Sequence, residues 1–392
     1  MKHLIMLILC SFIVAETNDK EKIQNFLTEG KYVQGEAYLQ DLLSKDAKND
    51  NARFGLAALQ VFKAFTTFSD RLYEHGLRNR YLAREFRQDF MLPFEVNPNA
   101  KETTYKDLRG IVEDWKHTLE QADMNLQKIK SNDMQLEINL SEAMFGFFAN
   151  LNINLPQNEL ESMKKQTPEI VIHFDASDAH WLRGYCNIFM ALGEVFLAYD
   201  HEELFNAVGH LFFSKVKADY KLLGEYKVDY SFSRDLVDVI ALIHGFSFEV
   251  KEPQRMLKAL YHLETFVAEG KLTWEHILKE QDTDHFEWVP NPKQKSFMTV
   301  EQKNIDDWLE VLTEIEGILK GKKLVPFWIN RKYGINIRKL FTEPGKMDLI
   351  MWIHGSGVVR YVEEGVISDG ERWNELSQRF GGDFFTYMFW FN

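Results

Sequence analysis

From Lys20 to Leu77 the apolar residues recur at spacings of three and four: Ile23, Phe26 and Leu27, then Tyr38, Leu39, Leu42 and Leu43, then Phe54, Leu56, Leu59, Phe62 and Phe65. That period lays them along one stripe of a helix and does not fit the alternation of a strand. Gly30-Lys31-Tyr32 interrupts the pattern once, and the polar run from Asp46 to Asp50 interrupts it again. Helices joined by loops this short fold back on one another as antiparallel neighbours. With 392 residues, 45% of them hydrophobic and 14% aromatic, the chain can fill one large core or two medium ones.

Gly30, Tyr32, the small Gly35, Leu39, Leu42 and Asp46 fall at the turn and second-helix positions of a tetratricopeptide repeat, and this stretch resembles one. Leu56 with Ala57 resembles the opening of a following unit. Ala47 stands where that repeat carries proline, and no copy recurs further on at the 34-residue period, so the likeness covers about one and a half units. The chain as a whole resembles exported bacterial proteins of unassigned activity with such a degenerate repeat-like start. The resemblance implies a scaffold that holds a protein or peptide partner, and it brings no catalytic residues.

Helical pattern continues beyond Pro93 and the Asn97-Pro98-Asn99 breaker, where Thr103 or Thr104 caps a helix carrying Leu108, Ile111, Trp115, Leu119 and Leu126, to about Lys130. Between Met134 and Val171 the pattern changes. Leu136, Ile138 and Leu140 alternate, as do Leu151, Ile153 and Leu155, which predicts an irregular segment or small β-hairpin at 134–174 and a boundary between lobes there. Helices return from Asp178, with Trp181, Tyr185, Ile188, Phe189, Leu192, Val195 and Phe196 on one face, and follow at 202–216, 233–245 and 253–268. Thr299 and Gln302 have capping-box spacing ahead of Ile305, Trp308, Leu309, Leu312, Ile315 and Leu319. The reading is a mainly α protein: repeat-like hairpins at 16–95, a long helix within 96–133, and a larger helical lobe at 175–392. Its aromatic end, Phe384 to Phe391, calls for a groove to cover it.

Lys2 followed by the apolar run Leu4 to Val14 and then Ala15 has the layout of a secretory leader over 1–15, which predicts a periplasmic or extracellular protein. The run is too short to span a bilayer, and no later stretch reaches spanning length, so no transmembrane segment is expected in the mature chain. Without the leader only Cys186 remains, which rules out an internal disulfide. A formal charge of −13 argues against a general nucleic-acid or anionic-membrane binder.

The densest polar cluster is His173, Asp175, Asp178, His180 and Arg183. Histidine and carboxylate are ligand types for zinc or iron, so His173, Asp175, Asp178 and His180 are the metal candidates, and Asp175, Asp178, His180 and Arg183 the catalytic ones. The simpler use of Asp175, Ser177 or Asp178 is to cap the helix that follows. Asp200 and His201, at the far end of that helix about 33 Å away, cannot join them.

His354-Gly355-Ser356-Gly357 offers a serine beside a histidine, but a helix ending at His354 with a glycine cap explains the same letters. Glu363-Glu364 and Asp282-Thr283-Asp284-His285 offer paired carboxylates, the latter near Phe286 and Trp288. His210, His244 and His262 sit among apolar neighbours and read as buried, hydrogen-bonded histidines. No phosphate-binding glycine loop or paired Cys-x-x-Cys occurs, and no cofactor is expected. The favoured function is an exported, non-enzymatic helical scaffold for a protein or peptide. An exported hydrolase or metal-dependent enzyme, and a small-ligand or carbohydrate binder, are the alternatives.

Overall fold

The computed structural model describes residues 19–78, 96–152, 157–217, 221–223, 231–297 and 299–380. The leader, Pro93, Ile153, Leu155 and the aromatic end from Phe384 lie outside these residues. The fold is mainly helical, with only small antiparallel strand sets, and no described helix is long and apolar enough to cross a membrane.

Helices α1 (19–28), α2 (Tyr32–Lys45) and α3 (Asp50–Glu74) follow one another across the two expected turns. Gly30 makes the first with φ +66°, a conformation that costs any side chain but glycine. Asn49 makes the second, its side chain accepting from the Ala52 N–H to cap α3. Helix α4 (Tyr105–Leu126) opens on a capping box in which Thr104 and Asp107 satisfy each other's backbone N–H groups. Of the two threonines considered, the cap is Thr104; Thr103 is fully buried and its hydroxyl donates to the His75 carbonyl at 3.0 Å.

The expected ribbon forms, but not as a hairpin. Strand β1 (Leu136–Asn139) pairs antiparallel with β2 (Val171–Phe174), Leu136 opposite Phe174 and Ile138 opposite Ile172. Two helices, α5 (Leu140–Ala149) and α6 (Gln157–Gln166), stand between the strands. Leu140 is therefore helical: the Asn139 side chain accepts from the Glu142 N–H at 3.2 Å and turns the chain into α5 directly after the strand.

Helix α7 (Ala176–Ala198) is the centre of the molecule, packing on α4 along one side and most extensively on α10 (Pro253–Ile277) along another. Before α10 come α8 (Glu202–Phe212) and α9 (Ser231–Gly245). α10 runs nine residues past the expected end, since Gly270 falls inside a helix whose two sides are both packed. Helix α11 (Gln302–Leu319) is capped not by Thr299 but by Glu301, whose N–H donates to Asn304 at 3.0 Å.

Two main cores result. One joins α1–α4, β1 and α7 around Leu39, Leu59, Leu119 and Leu136; the other joins α10 and α11 around Trp274 and Trp308, with Phe380 closing it. A smaller module follows α11: strands β4 (Val325–Pro326), β5 (Gly334–Ile335) and β7 (Val362–Glu363) form one sheet, with α12 (Ile337–Thr342) and α13 (Leu349–His354) beside it. Strand β6 (Met347–Asp348) pairs with β3 (Ser247–Phe248) and ties this module to α9. Helix α14 (Gly370–Arg379) packs back on α11.

Candidate functional site

At the start of α7 the Asp175 carboxylate accepts from the Ser177 N–H at 2.7 Å and the Asp178 N–H at 3.4 Å, while Asp178 accepts from the Asp175 N–H at 3.0 Å. This is a reciprocal capping box, so both acids serve the helix terminus as their residue types imply. The cluster that is continuous in sequence is divided in space. His173 lies in β2 with its ring stacked on His285 at 4.0 Å between centroids. His180 and Arg183 turn to α10, where His180 Nδ1 lies 2.7 Å from Glu269 and Arg183 bonds Glu269 and, at 2.9 Å, Asp123.

The four metal candidates do not gather about one point. Among the described residues, the group with three closely spaced ligand atoms is Asp282, Asp284 and His285, whose two acids are exposed.

Helix geometry explains the division. Asp178, Trp181, Leu182, Tyr185 and Phe189 follow helical spacing along one face of α7, whereas Ala176, Ala179, His180 and Arg183 occupy another. The second face lines a cleft of about 460 Å³ together with Lys130, Ser131, Glu269 and His276. Burial and the nearby His180 hold the His276 imidazole below its ordinary range.

The first face lines a different space, an apolar cavity of about 230 Å³. Phe54 and Phe62 of α3, Phe174 of β2, Trp181 and Tyr185 of α7, and Trp288 supply its aromatic wall. Asp178 is the one charged residue type in the lining, and it is 2% exposed. Leu140 and Met144 of α5 border this cavity and also a second apolar hollow of about 440 Å³ beneath α6. One helix thus separates two apolar spaces with two of its side chains.

Asp178 has other acids near it, Asp175, Glu287 and Glu280, none of which lines the cavity. Burial raises its pKa well above the usual carboxylate range, and the neighbouring Asp175, Glu287 and Glu280 charges add to the effect. Burial, then Asp175, pushes Glu280 up to about 7, and Asp175 and Glu280 share a hydrogen bond. Burial, then Asp175, Glu280 and Asp282, pushes Glu287 up to about 8. Gln294 donates to Glu280 at 3.0 Å. Three carboxyls whose pKa values burial and neighbouring acids raise are the physical mark of a tuned site. Sequence reasoning missed Glu280 and Glu287, although they bracket the Asp282–His285 run it noticed; the available signal was Glu287 sitting between Phe286 and Trp288.

The remaining candidates take structural places. Gly355 has φ +95° and its N–H donates to the Met351 and Trp352 carbonyls, capping α13 as expected. His354 Nδ1 does lie 3.1 Å from Ser356 Oγ, but both are exposed. Glu363 accepts from Asn336 and Lys339, and Glu364 pairs with Lys332, so these acids do not act together. Asp200 pairs with Lys251, and His201 stacks on Phe196. His262 is buried against Asn187 at 2.8 Å and His210 is buried, whereas His244 is exposed because it lies on the open side of α9.

No protein-family model, curated protein or solved structure matches the chain.

Proposed function

We propose that the protein binds an apolar small molecule, its hydrocarbon portion inserted among the aromatic side chains. The observation that carries this reading is the cavity itself. At about 230 Å³ it exceeds the roughly 150 Å³ of an engineered apolar cavity that admits benzene. Its wall is apolar and aromatic, which suits a hydrocarbon ligand. Together with the leader-like residues 1–15, this describes an exported binder or carrier.

The expectation of a protein or peptide partner rests on the repeat-like start and on the lack of a strong catalytic motif, and the cavity is the more specific feature. The enzyme reading retains the His180–Glu269 pair, in which a carboxylate orients an imidazole beside a polar cleft. It loses Asp175 and Asp178 to the helix cap.

Calorimetric titration with a series of straight-chain alcohols tests the proposal. Affinity is expected to rise about fourfold per added methylene, corresponding to about 0.8 kcal/mol each, until the chain fills the cavity. Ala58→Trp, placed on the cavity wall, is expected to abolish binding while circular dichroism and the melting transition stay those of a folded protein. Binding that is unaffected by this filling substitution, or no binding along the whole series, defeats the proposal.

A further inference from the structure

Leu140 and Met144 of α5 belong to the walls of both the aromatic cavity and the hollow beneath α6, so the two spaces meet at this helix. The helix backbone is fixed there, because Gly146 lies against the Thr28 and Leu27 carbonyls too closely to admit a Cβ. Its side chains have more freedom. Methionine is unbranched and turns about three bonds, so Met144 can swing aside where a β-branched residue in a helix would hold one rotamer.

The hollow, at about 440 Å³, is nearly twice the size of the cavity. Phe145 and Phe148 of α5, Leu160 and Met163 of α6, and Ile170 make its surface apolar. Protein interiors are ordinarily packed to the density of an organic crystal, which these side chains do not reach among themselves. Helix α6 stands over this space. It has ten residues, too few to hold a helix in water by propensity alone, and among its described side chains only Leu160 is not exposed. Leu160 and Met163, three positions apart, form the apolar side that it turns to the hollow. A hydrocarbon beneath them gives this side the apolar contact that stabilises an amphipathic helix.

The junction selects the shape of the ligand. A group that passes between Leu140 and Met144 is narrow, as an alkyl chain is and a fused ring system is not. We infer that the aromatic cavity and the hollow beneath α6 are two chambers of one site, which holds a single long, unbranched alkyl chain such as the tail of a fatty alcohol or fatty acid. This rests on the reading of the cavity as a small-molecule site and adds the length and shape of its ligand.

The experiment is calorimetric titration of the full chain with hexanol, nonanol and dodecanol. Scaled from the six carbons of benzene in roughly 150 Å³, the cavity of about 230 Å³ holds about nine carbons by itself. With one chamber, affinity levels off at nonanol. With two, it continues to rise by about fourfold per methylene, and dodecanol is expected to bind about 60-fold more tightly than nonanol. Leu160→Trp, which fills the hollow and not the cavity, is expected to return dodecanol to the affinity of nonanol and to leave hexanol unchanged. Met163→Trp is the second filler, at a half-exposed position where a larger side chain leaves the cores undisturbed. Hexanol that fails to bind the unsubstituted chain defeats the reading of the cavity and this inference with it. Hexanol that binds, with dodecanol no tighter than nonanol, defeats this inference alone. It is also overturned if neither filler weakens dodecanol, or if both weaken hexanol as much as dodecanol.

Discussion

Replacing Glu280 and Glu287 by glutamine should leave stability almost unchanged at pH 5 and raise it clearly at pH 9. Both carboxyls have pKa values above the ordinary 4.5, near 7 for Glu280 and near 8 for Glu287, because burial and the Asp175 charge oppose ionisation. A carboxyl raised in the folded state stabilises fully below its unfolded pKa, and that stability is lost as pH rises toward the folded value. The loss therefore begins above pH 4.5 and is complete for both groups only above about pH 8. At about 1.4 kcal/mol per unit, the two intervals amount to about 3 and 5 kcal/mol taken separately.

The two groups repel each other, so that repulsion must not be counted twice, and water at the rim screens part of the rest. A combined gain of about 4 kcal/mol at pH 9 remains. With an unfolding entropy of about 2 cal/mol/K per residue, the double variant should melt about 5 °C above the unsubstituted chain. Buried His262 and half-buried His276, whose pKa values desolvation lowers, titrate with the opposite sign, but they are present in both proteins and cancel in the difference. Scanning calorimetry at pH 5, 7 and 9 is the assay. A melting difference that does not grow with pH, or that favours the unsubstituted chain at pH 9, refutes the picture of protons held by burial.

Glu194→Ala should destabilise the protein by about 3 kcal/mol, read as a lowered denaturation midpoint, because it uncovers buried positive charge. Its side chain is fully buried, 3.2 Å from Lys116 and 3.0 Å from Arg255; the loss stays moderate because Lys116 keeps Glu120 and Arg255 keeps Glu252. Gly146→Ala should cost about 2 kcal/mol by the same measurement, since its Cβ would press on the Thr28 carbonyl and lie 2.7 Å from that of Leu27, forcing α5 off α1. The substitution should also alter access to the apolar spaces that α5 borders.

The local chemistry of single helix ends is legible in the residues themselves. Thr104 and Asp107, Asp175 and Asp178, and Gly355 each do what their residue types do near a helix terminus, because capping depends on atoms within a few positions of chain. The errors arise where distant parts decide. Leu136, Ile138 and Leu140 alternate, yet only the first two are in a strand, since β1 finds its partner beyond two intervening helices. α10 passes through Gly270 because α7 and α11 pack against it, and such packing outweighs the roughly 1 kcal/mol that an interior glycine costs.

The candidate site is half visible in the sequence for the same reason. Asp178, Trp181, Tyr185 and Phe189 lie on one helix, and their spacing announces a shared face. Whether that face meets solid core or a cavity depends on Phe54, Phe174 and Trp288, which arrive from three other places. Glu280 and Glu287 are easily overlooked because the exposed acids between them dominate the local composition, and burial is not written in composition.

The two sides of α7 solve the cost of buried carboxylates in opposite ways. On the cleft side Glu269 is matched by Arg183 and His180, and further along Glu194 is matched by Lys116 and Arg255, so those charges are held by other charges. Near the start of α7 the buried acids lie where nearby cations already have partners: Arg183 is committed to Asp123 and Glu269, and Lys279 to Glu275. Burial raises the pKa values of Asp178, Glu280 and Glu287, so the neutral form is the one favoured there. A neutral acid buried behind the cavity wall leaves the cavity's apolar character intact, which an ionised carboxylate would not. One helix thus carries an apolar, aromatic cavity on one face and an ion-paired cleft on another.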